Sequence, residues 1–483
     1  MPLLHKPRIV TLTPATVESP FHHRGKHVPW LEVWQHVATR VGWAEPGVDM
    51  QVFSSDNLLE EGKSGSEGQE DFIASLSSAD IFIASTVKDP IVSQWAAKEV
   101  SKSGVKTRYC RDSVGELGEA SLLGEYRPQP GDSTVPRWIE NLPDFLQNIL
   151  FGATKKDREL WSTLGGFYDR NSSEDLVFLV LVLVDTFTAL EVGRVTGIGK
   201  DGGLDTLKCM LTNCKKEVLN CAKDPACRAC IDCLQKCPPN DQVCAYRCIT
   251  SYETKAMEAF SLCVLQKNNC MCNSAEIPSL PNPSPLAQFR GKPLTFTAAE
   301  DLFIGWLGKL PYSWKVVCGQ NPAYDFFPSQ HQIFYRGRGK GQMWYDPVFK
   351  VFTLDGKEAW RRRHYRVRAA DTPGTFHFSV LDNGVTSKEY WRIMDVAEDL
   401  SWGVFYYAGA ASAAGQSYTG GLLVTPEGSW PAESEMGRVE EAFEACGMKM
   451  WELFEVDNSD TNGAPLGLSD DFAAHNNNAL GLV

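Results

Sequence analysis

The chain has 483 residues, 43% of them apolar and 22% charged, with 47 lysines and arginines against 60 aspartates and glutamates. This composition excludes a mainly disordered chain, and the length predicts about three domains. The formal net charge of −13 argues against nucleic-acid binding, which normally rests on a basic surface. The longest apolar run, Leu176 to Val184, is too short to cross a bilayer as a helix.

Residues 1–135 alternate short apolar strands with stretches of helix length. The strand-like runs are Arg8–Leu12, Val52–Ser54, Ile81–Ser85 and Val105–Cys110, and the helix-like runs are His27–Val41, Glu70–Leu76 and Pro90–Lys102. Because parallel strands need a crossover connection, this order predicts an α/β domain with a parallel sheet, whose role the sequence does not reveal.

Residues 136–204 are predicted to form a helical connector and linker. The string Gly197 to Gly202 matches G-x-G-x-x-G, which binds dinucleotides only when a strand precedes it and a helix follows. Here a cysteine-rich block follows almost at once, so we interpret the string as a hinge.

Twelve of the 15 cysteines fall in the segment 205–275, which we predict to be a small helical domain. The run Cys227, Cys230, Cys233, Cys237 has the bacterial ferredoxin spacing, but no second run accompanies it. Zinc sites that mix cysteine and histidine are disfavoured, because the block contains no histidine. Disulfides that cross-link short helices are favoured over an iron–sulfur cluster or a zinc site. The reason is that a domain of this size buries too little apolar area to be stable without such cross-links. The disulfide candidates are Cys209, Cys214, Cys221, Cys227, Cys230, Cys233, Cys237, Cys244, Cys248, Cys263, Cys270 and Cys272.

Residues 276–290 form a proline-rich linker, and beyond it the apolar pattern changes to a period of two. The strand-like runs are Trp314–Cys318, Gln332–Arg336, Val348–Leu354, Trp360–Val367, Thr375–Val380, Tyr390–Val396, Val404–Ala408 and Gly421–Thr425. Eight such strands predict a closed up-and-down barrel over 291–457, similar to a lipocalin, which can hold one small ligand. A helix opened by Pro431 is expected to follow, with Met436, Val439, Phe443, Met450 and Leu453 on one face, and then a disordered tail over 458–483. The fold class is therefore α+β and multidomain.

A family resemblance rests on several of these stretches. They are Cys214–Cys221, Asp224–Cys227, Cys233–Cys237, Gly319–Asp325, Val404–Tyr407 and Gly420–Gly421. Over about residues 205–457 the chain resembles the violaxanthin de-epoxidase family, and it is most similar to the violaxanthin de-epoxidase-related branch. Residues 1–200 lie outside the resemblance.

The resemblance implies a function and a place in the cell. It implies an enzyme of the chloroplast thylakoid lumen that reduces the epoxides of violaxanthin, giving antheraxanthin and zeaxanthin. Ascorbate would be the co-substrate, a xanthophyll carotenoid the substrate, and no metal is expected. The thylakoid membrane surface and a second copy of the chain are further expected partners. Residues 1–10 show no readable targeting segment.

The resemblance also implies the site residues. Carried over by position, the catalytic residues are Glu389, Tyr407 and Asp325, and the substrate-binding residues are Gln330, Trp391 and Tyr324. A carboxylic acid in an apolar lumen keeps its proton because desolvation raises its pKa, and it could therefore protonate an epoxide. Glu389 is the expected proton donor, and Tyr407 is expected to orient or stabilise the substrate oxygen.

This sequence departs from the family pattern at several of these positions. Glu389 stands where the family has aspartate, Gln332 where it has a histidine, and Thr425 where it has a tyrosine. A second family aspartate falls on Pro328, and a cysteine falls on Ser329. These departures leave catalysis in question, although the fold is expected to be unaffected.

Structural readings of the same residues stay open. Glu389 could face solvent, Tyr407 and Trp391 could be core, and Asp325 could belong to a turn. A run rich in arginine, 361–368, is expected to line the barrel exterior, as a solvated face or as a surface that attracts anions. The alternative to an enzyme is a non-catalytic lipocalin that binds a carotenoid or a similar apolar ligand.

Overall fold

The computed structural model describes residues 6–56, 58, 67–120, 122–123, 125–126, 160, 162–170, 172–188, 203–238, 240–305, 314–337 and 341–467. The chain divides into two compact units, one of residues 1–198 with 238–240 and one of residues 199–237 with 241–483. Within these described ranges, no helix is long and apolar enough to span a membrane. The Gly197–Gly202 string lies outside the described residues, so the predicted hinge stays a prediction.

The first unit contains the predicted parallel sheet. Its strands and helices are β1 (Arg8–Thr13), β2 (Glu18–His23), β3 (Lys26–Pro29), α1 (Trp30–Ala44), β4 (Asp49–Ser54), α2 (Glu67–Ser77), β5 (Ile81–Ser85), α3 (Pro90–Ser103), β6 (Thr107–Arg111), α4 (Gly115–Glu119), β7 (Leu122–Leu123), β8 (Glu125–Tyr126) and α5 (Ser173–Phe187). Four strands pair in parallel in the order β4-β1-β5-β6, and β7 and β8 extend the sheet in antiparallel fashion. The α/β prediction is confirmed.

One boundary in this unit differs from the prediction. The expected helix from His27 begins only at Trp30, because residues 26–29 form the second strand of the β2–β3 hairpin. Pro29 then stands at the helix N-cap, where the missing N–H of a proline costs little.

The cysteine-rich segment forms five short helices in the second unit. They are α6 (Gly203–Asn213), α7 (Lys215–Lys223), α8 (Pro225–Lys236), α9 (Gln242–Ser251) and α10 (Lys255–Ser261), and a π-helical turn over Leu262–Lys267 follows. We call these helices the cysteine module. Five disulfides cross-link it, namely Cys209–Cys270, Cys214–Cys263, Cys221–Cys227, Cys233–Cys248 and Cys237–Cys244.

Ten of the twelve disulfide candidates are therefore paired, and the prediction is wrong for Cys230 and Cys272. These two are free, and they do not meet, since Cys230 is buried and Cys272 is exposed. The ferredoxin-like run is likewise split, because its other three cysteines belong to three different disulfides.

The remainder of the second unit is the predicted barrel. Its elements are β9 (Gln288–Phe289), β10 (Lys292–Pro293), α11 (Phe296–Glu300), β11 (Trp314–Gly319), α12 (Pro322–Asp325), β12 (His331–Arg336), β13 (Met343–Phe352), β14 (Glu358–Arg362), β15 (Tyr365–Ala369), β16 (Thr375–Asp382), β17 (Val385–Val396), β18 (Gly403–Ala411), β19 (Gln416–Thr425), α13 (Met436–Ala445) and β20 (Phe454–Glu455). Eight strands pair antiparallel in the order β12-β11-β19-β18-β17-β16-β15-β13, and pairing of β12 with β13 closes the barrel.

Two details of the barrel correct the predictions. The run Trp360–Val367 is two strands, β14 and β15, separated by Arg363 and His364. The amphipathic helix α13 ends at Ala445, so Met450 lies in a separate 3₁₀ turn; both Met450 and Leu453 still pack against the same cluster as α13.

The barrel lumen is filled largely by aromatic side chains. Phe303, from a turn that follows α11, stacks with Phe376 at a centroid distance of 4.7 Å and contacts the rings of Phe334 and Phe405 at 4.7 and 5.0 Å. Such packing contributes dispersion energy in addition to buried apolar area. The lumen is a packed core with little open space.

Residues 458–467, expected to belong to a disordered tail, instead hydrogen-bond to the barrel. The Asn458 amide donates to the carbonyl of Val316 at 2.7 Å, and Asp460 pairs with Lys350 at 2.8 Å. Residues 468–483 lie outside the described residues.

Candidate functional site

A pocket in the barrel lumen brings together all six residues that the resemblance proposed for the site. Its cavity is about 30 Å³, room for about two water molecules. It is lined by Tyr324, Asp325, Gln330, Gln332, Tyr345, Pro347, Phe349, Tyr365, Glu389, Trp391, Tyr407 and Leu422. Two carboxyl groups in a wall that is otherwise mostly aromatic and apolar, with two glutamines, are the unusual feature of this pocket, since acids are seldom buried.

Asp325 ends the short helix α12 and is only 1% exposed. Its carboxyl accepts a hydrogen bond from the backbone N–H of Asn321 at 2.7 Å. Desolvation raises the pKa of Asp325 to about 7, and the bond from Asn321 offsets only part of that effect. At mildly acidic pH this carboxyl therefore holds a proton.

Glu389, on β17, is 4% exposed, so the reading that places it in solvent is wrong. Its carboxyl accepts hydrogen bonds from the indole N–H of Trp391 at 2.7 Å and from the hydroxyl of Tyr418 at 2.8 Å. Burial raises the pKa of Glu389, while these two donors act in the opposite direction because they favour the charged form.

Tyr407, on β18, stacks its ring against Trp391 at a centroid distance of 4.7 Å. Burial raises the pKa of Tyr407 well above its usual value, and the negative charges of Asp325 and Glu389 add to that rise. The phenol therefore stays protonated, and a hydrogen bond with the side chain of Asn321 offsets only part of the rise. Tyr407 and Trp391 belong both to the core and to the pocket wall, so the two readings are compatible.

The side-chain amide of Gln330 is held by hydrogen bonds to the backbone, although Gln330 lines the pocket. Its amide nitrogen donates to the backbone carbonyls of Tyr324 at 2.5 Å and Phe327 at 2.9 Å. Gln330 thus fixes the loop that carries Tyr324 and Asp325, and its amide nitrogen is already engaged by these two carbonyls.

Comparison with known proteins decides the family. The family model of the VDE lipocalin domain matches residues 206–458, more than half of the chain. The chain belongs to the VDE lipocalin domain family.

Named relatives agree with this assignment. The chain is 23% identical over 272 residues to a protein of Arabidopsis thaliana named violaxanthin de-epoxidase, chloroplastic, and 24% identical over 285 residues to one of that name from Nicotiana tabacum. These matches cover 53% of this chain in both cases, and 53% and 51% of the relatives. The chain thus spans about half the length of the relatives it matches.

Solved structures give weaker likenesses. Lobster apocrustacyanin A1 is 12% identical with a TM-score of 0.23, over 32% of this chain and 78% of that protein. The bovine lipocalin allergen Bos d 2 is 7% identical with a TM-score of 0.23, over 29% of this chain and 88% of that one.

In this VDE lipocalin domain, three glycines make room for the polar side chains of the pocket. A Cβ added at Gly319 would lie 2.3 Å from a carboxylate oxygen of Asp325, and one at Gly409 would lie 2.9 Å from Cγ of Glu389. A Cβ at Gly420 would lie 2.3 Å from the hydroxyl oxygen of Tyr407. Each of the three catalytic candidates therefore lies against a backbone that has no side chain.

We expect Gly420→Ala to destabilise the barrel by about 1–3 kcal/mol, because Tyr407 must leave its place against Trp391. Chemical denaturation of the full chain measures the effect. Gly437→Ala on α13 is the matched control, since no atom lies within 4 Å of its added Cβ. Equal stabilities of the two variants would contradict the assigned packing.

The arginine-rich run 361–368 contains the residue that sequence reasoning missed. The prediction of an exterior face is right for Arg366 and Arg368, which are exposed, and wrong for Arg363. Arg363 pairs with Asp382 and donates to the hydroxyl of Tyr324 on the pocket wall. No local signal marks Arg363, because it lies between two strands where the alternation of faces is interrupted.

Three tyrosines were missed as well: Tyr345 and Tyr365, which line the pocket, and Tyr418, which contacts Glu389. Tyr345 donates to Gln332, Tyr418 donates to Glu389, and the hydroxyls of Tyr365 and Tyr324 lie 3.4 Å apart. Strand parity could have found Tyr418, since it lies two residues before Gly420 on β19 and therefore faces the same side.

Proposed function

We propose that the lumen pocket reduces the epoxide of a xanthophyll, with ascorbate as the reductant. The observation that carries this proposal is the pair of fully buried carboxyl groups, Asp325 and Glu389, with Tyr407 beside both. The named relatives support the substrate class, although the chain spans only about half of their length.

The reaction needs both acid and base chemistry. An epoxide becomes an alkene when its oxygen leaves as water, which consumes two electrons and two protons. Ascorbate supplies both electrons and both protons and becomes dehydroascorbate. A proton must therefore reach the epoxide oxygen from one group, while another group receives a proton from ascorbate.

The two carboxyls suit these two tasks. We propose Asp325 as the proton donor in place of Glu389, the donor expected from the resemblance, because its pKa of about 7 keeps it protonated at mildly acidic pH. Burial also raises the pKa of Glu389, so its carboxylate takes up a proton readily, and the hydrogen bonds from Trp391 and Tyr418 hold that carboxylate in place, which suits the group that receives a proton. Tyr407 donates a hydrogen bond to the substrate oxygen as the carbon–oxygen bond breaks.

The pocket must widen to admit its substrate. A cavity of about 30 Å³ is smaller than the end ring of a carotenoid, so aromatic side chains of the wall have to move when the ring enters. The apolar body of the pigment then contacts apolar surface, and water is expelled from around the two acids.

The setting of the proposed reaction follows from the disulfides and the relatives. Five disulfides require an oxidising compartment, and the relatives are named as chloroplastic proteins. We therefore propose a chloroplast location, in the thylakoid lumen. The membrane surface and a homodimer remain predictions from the resemblance.

The test is an assay of violaxanthin conversion with ascorbate at about pH 5, where Asp325 is protonated. We expect Glu389→Gln to abolish conversion while the variant still binds the pigment, because glutamine keeps the shape but cannot exchange a proton. Chromatography of the pigments measures conversion, and the absorbance shift on mixing measures binding. A wild-type chain that binds the pigment and never converts it would favour the binding lipocalin over the enzyme.

A further inference from the structure

Arg363 is a buried cation at the contact between the cysteine module and the barrel. Its side chain is 8% exposed, and it forms an ion pair with Asp382 at 2.5 Å. Its guanidinium lies over the rings of Tyr246, from α9 of the module, and Tyr324, from the barrel, at 4.8 and 5.6 Å. A buried cation is stable only when such partners replace its lost water, so its position is fixed.

The hydrogen bonds of Arg363 have a definite direction. Its Nε and Nη2 lie 3.1 and 2.7 Å from the hydroxyl oxygen of Tyr246, and its Nη1 lies 3.1 Å from that of Tyr324. A guanidinium has five donors and no acceptor, so both phenol oxygens accept from Arg363. The single proton of each phenol is left to point elsewhere.

Two directions are open to the proton of Tyr324. The hydroxyl of Tyr365 lies 3.4 Å away, at the long limit of a hydrogen bond, and the pocket that Tyr324 lines is the other direction. A ligand oxygen in the pocket would offer a shorter and stronger acceptor than Tyr365.

We propose that Arg363 is a positioning residue that turns the Tyr324 hydroxyl toward the pocket, where it donates a hydrogen bond to the oxygen of the bound substrate. The proposal rests on the proposed function for the identity of that substrate. It makes the cysteine module part of the site, because Tyr246 on α9 holds the far side of the same guanidinium.

A double-mutant cycle tests the proposal. Tyr324→Phe and Arg363→Gln should each lower kcat/KM for violaxanthin by about tenfold, the effect of one lost hydrogen bond. Since Arg363 acts through Tyr324, the double variant should lose no more than Tyr324→Phe alone. Arg363→Lys should recover part of the rate, because it keeps one cationic donor.

The neighbouring arginine offers an obvious control, Arg361→Gln, since Arg361 pairs with Glu253 of the module. That variant is unsuitable, because Arg361 also hydrogen-bonds Tyr246; the control is therefore Arg366→Gln, which removes an exposed arginine of the same run, on β15, without touching Tyr246 or Tyr324. We expect conversion by this variant to equal that of the wild-type chain. The proposal would be overturned if the double variant lost kcat/KM by the product of the two single losses. It would also be overturned if the control variant lost as much kcat/KM as Arg363→Gln.

Two further measurements separate this proposal from the proposed function. If the chain binds violaxanthin without converting it, the affinities of the same single and double variants for the pigment are compared in place of kcat/KM. The carbon-13 NMR signal of Cζ in Tyr324, assigned through Tyr324→Phe, requires no pigment and should shift in Arg363→Gln but not in Arg366→Gln. If violaxanthin is neither bound nor converted, the proposed function fails. Independently of that result, a Cζ signal that does not shift in Arg363→Gln overturns the role of Arg363.

Discussion

Conversion of violaxanthin should fall by about 10² to 10⁴-fold in Asp325→Asn, the usual contribution of a positioned general acid. Asparagine has nearly the same shape, and its carbonyl oxygen can still accept the N–H of Asn321. The loss should therefore appear in kcat, while pigment binding stays close to that of the wild-type chain. Steady-state kinetics at about pH 5, where Asp325 is protonated, measure both quantities.

Asp395→Asn is the control for this substitution. Asp395 lies on β17 like Glu389, but it pairs with Arg438 at 2.8 Å and is not part of the pocket wall. Its conversion rate should be unchanged. Wild-type conversion by Asp325→Asn would remove Asp325 from the mechanism and leave Glu389 as the acid.

The stability of the barrel should decrease as the pH rises from about 4 to about 7. Burial raises the pKa of Asp325 to about 7, whereas an unfolded aspartate ionises near pH 4, so the folded chain binds more protons between these values. The stabilising contribution is complete below pH 4 and is lost as the pH passes 7. A shift of about three units corresponds to about 4 kcal/mol, and the raised pKa of Glu389 acts in the same direction.

Denaturant unfolding at about pH 4.5 and about pH 8, close to the lower limit and about one unit above the upper one, tests this expectation with the disulfides kept oxidised. Asp325→Asn carries no titrating group at this position, so its stability should change less between the two pH values. The difference between variant and wild type isolates Asp325 from the other ionisable groups. The same pH dependence in both proteins would show that Asp325 does not titrate as proposed.

The sequence alone was sufficient for the larger features of the fold. The alternation of strand and helix over Arg8–Arg111 predicted a parallel sheet, and the period of two beyond Pro285 predicted the closed barrel. Both predictions succeed because burial of one face imposes a period on the residues of that element itself. The six proposed pocket residues came from the family resemblance, and the structure brings all six together.

Other features required the tertiary structure. The cysteine count indicated disulfides, but only the packing of the module shows that Cys230 is buried away from Cys272 and that both are free. The position of Arg363 inside the module–barrel contact was equally unpredictable, because its neighbours in sequence, two half-buried arginines and the exposed His364, do not distinguish it.

The glycines beside the pocket show most clearly what could not be predicted from the sequence. Gly420 faces Tyr407 because β18 and β19 pair in one register, and Gly319 faces Asp325 because the chain turns back through α12. The sequence determined which segments form strands and helices and which segment is rich in cysteine, since these properties depend on residues close together in the chain. Only the tertiary structure decided which side chains share the pocket, because that depends on register between segments far apart in the sequence, and a shift of one residue would turn each strand's inward face outward.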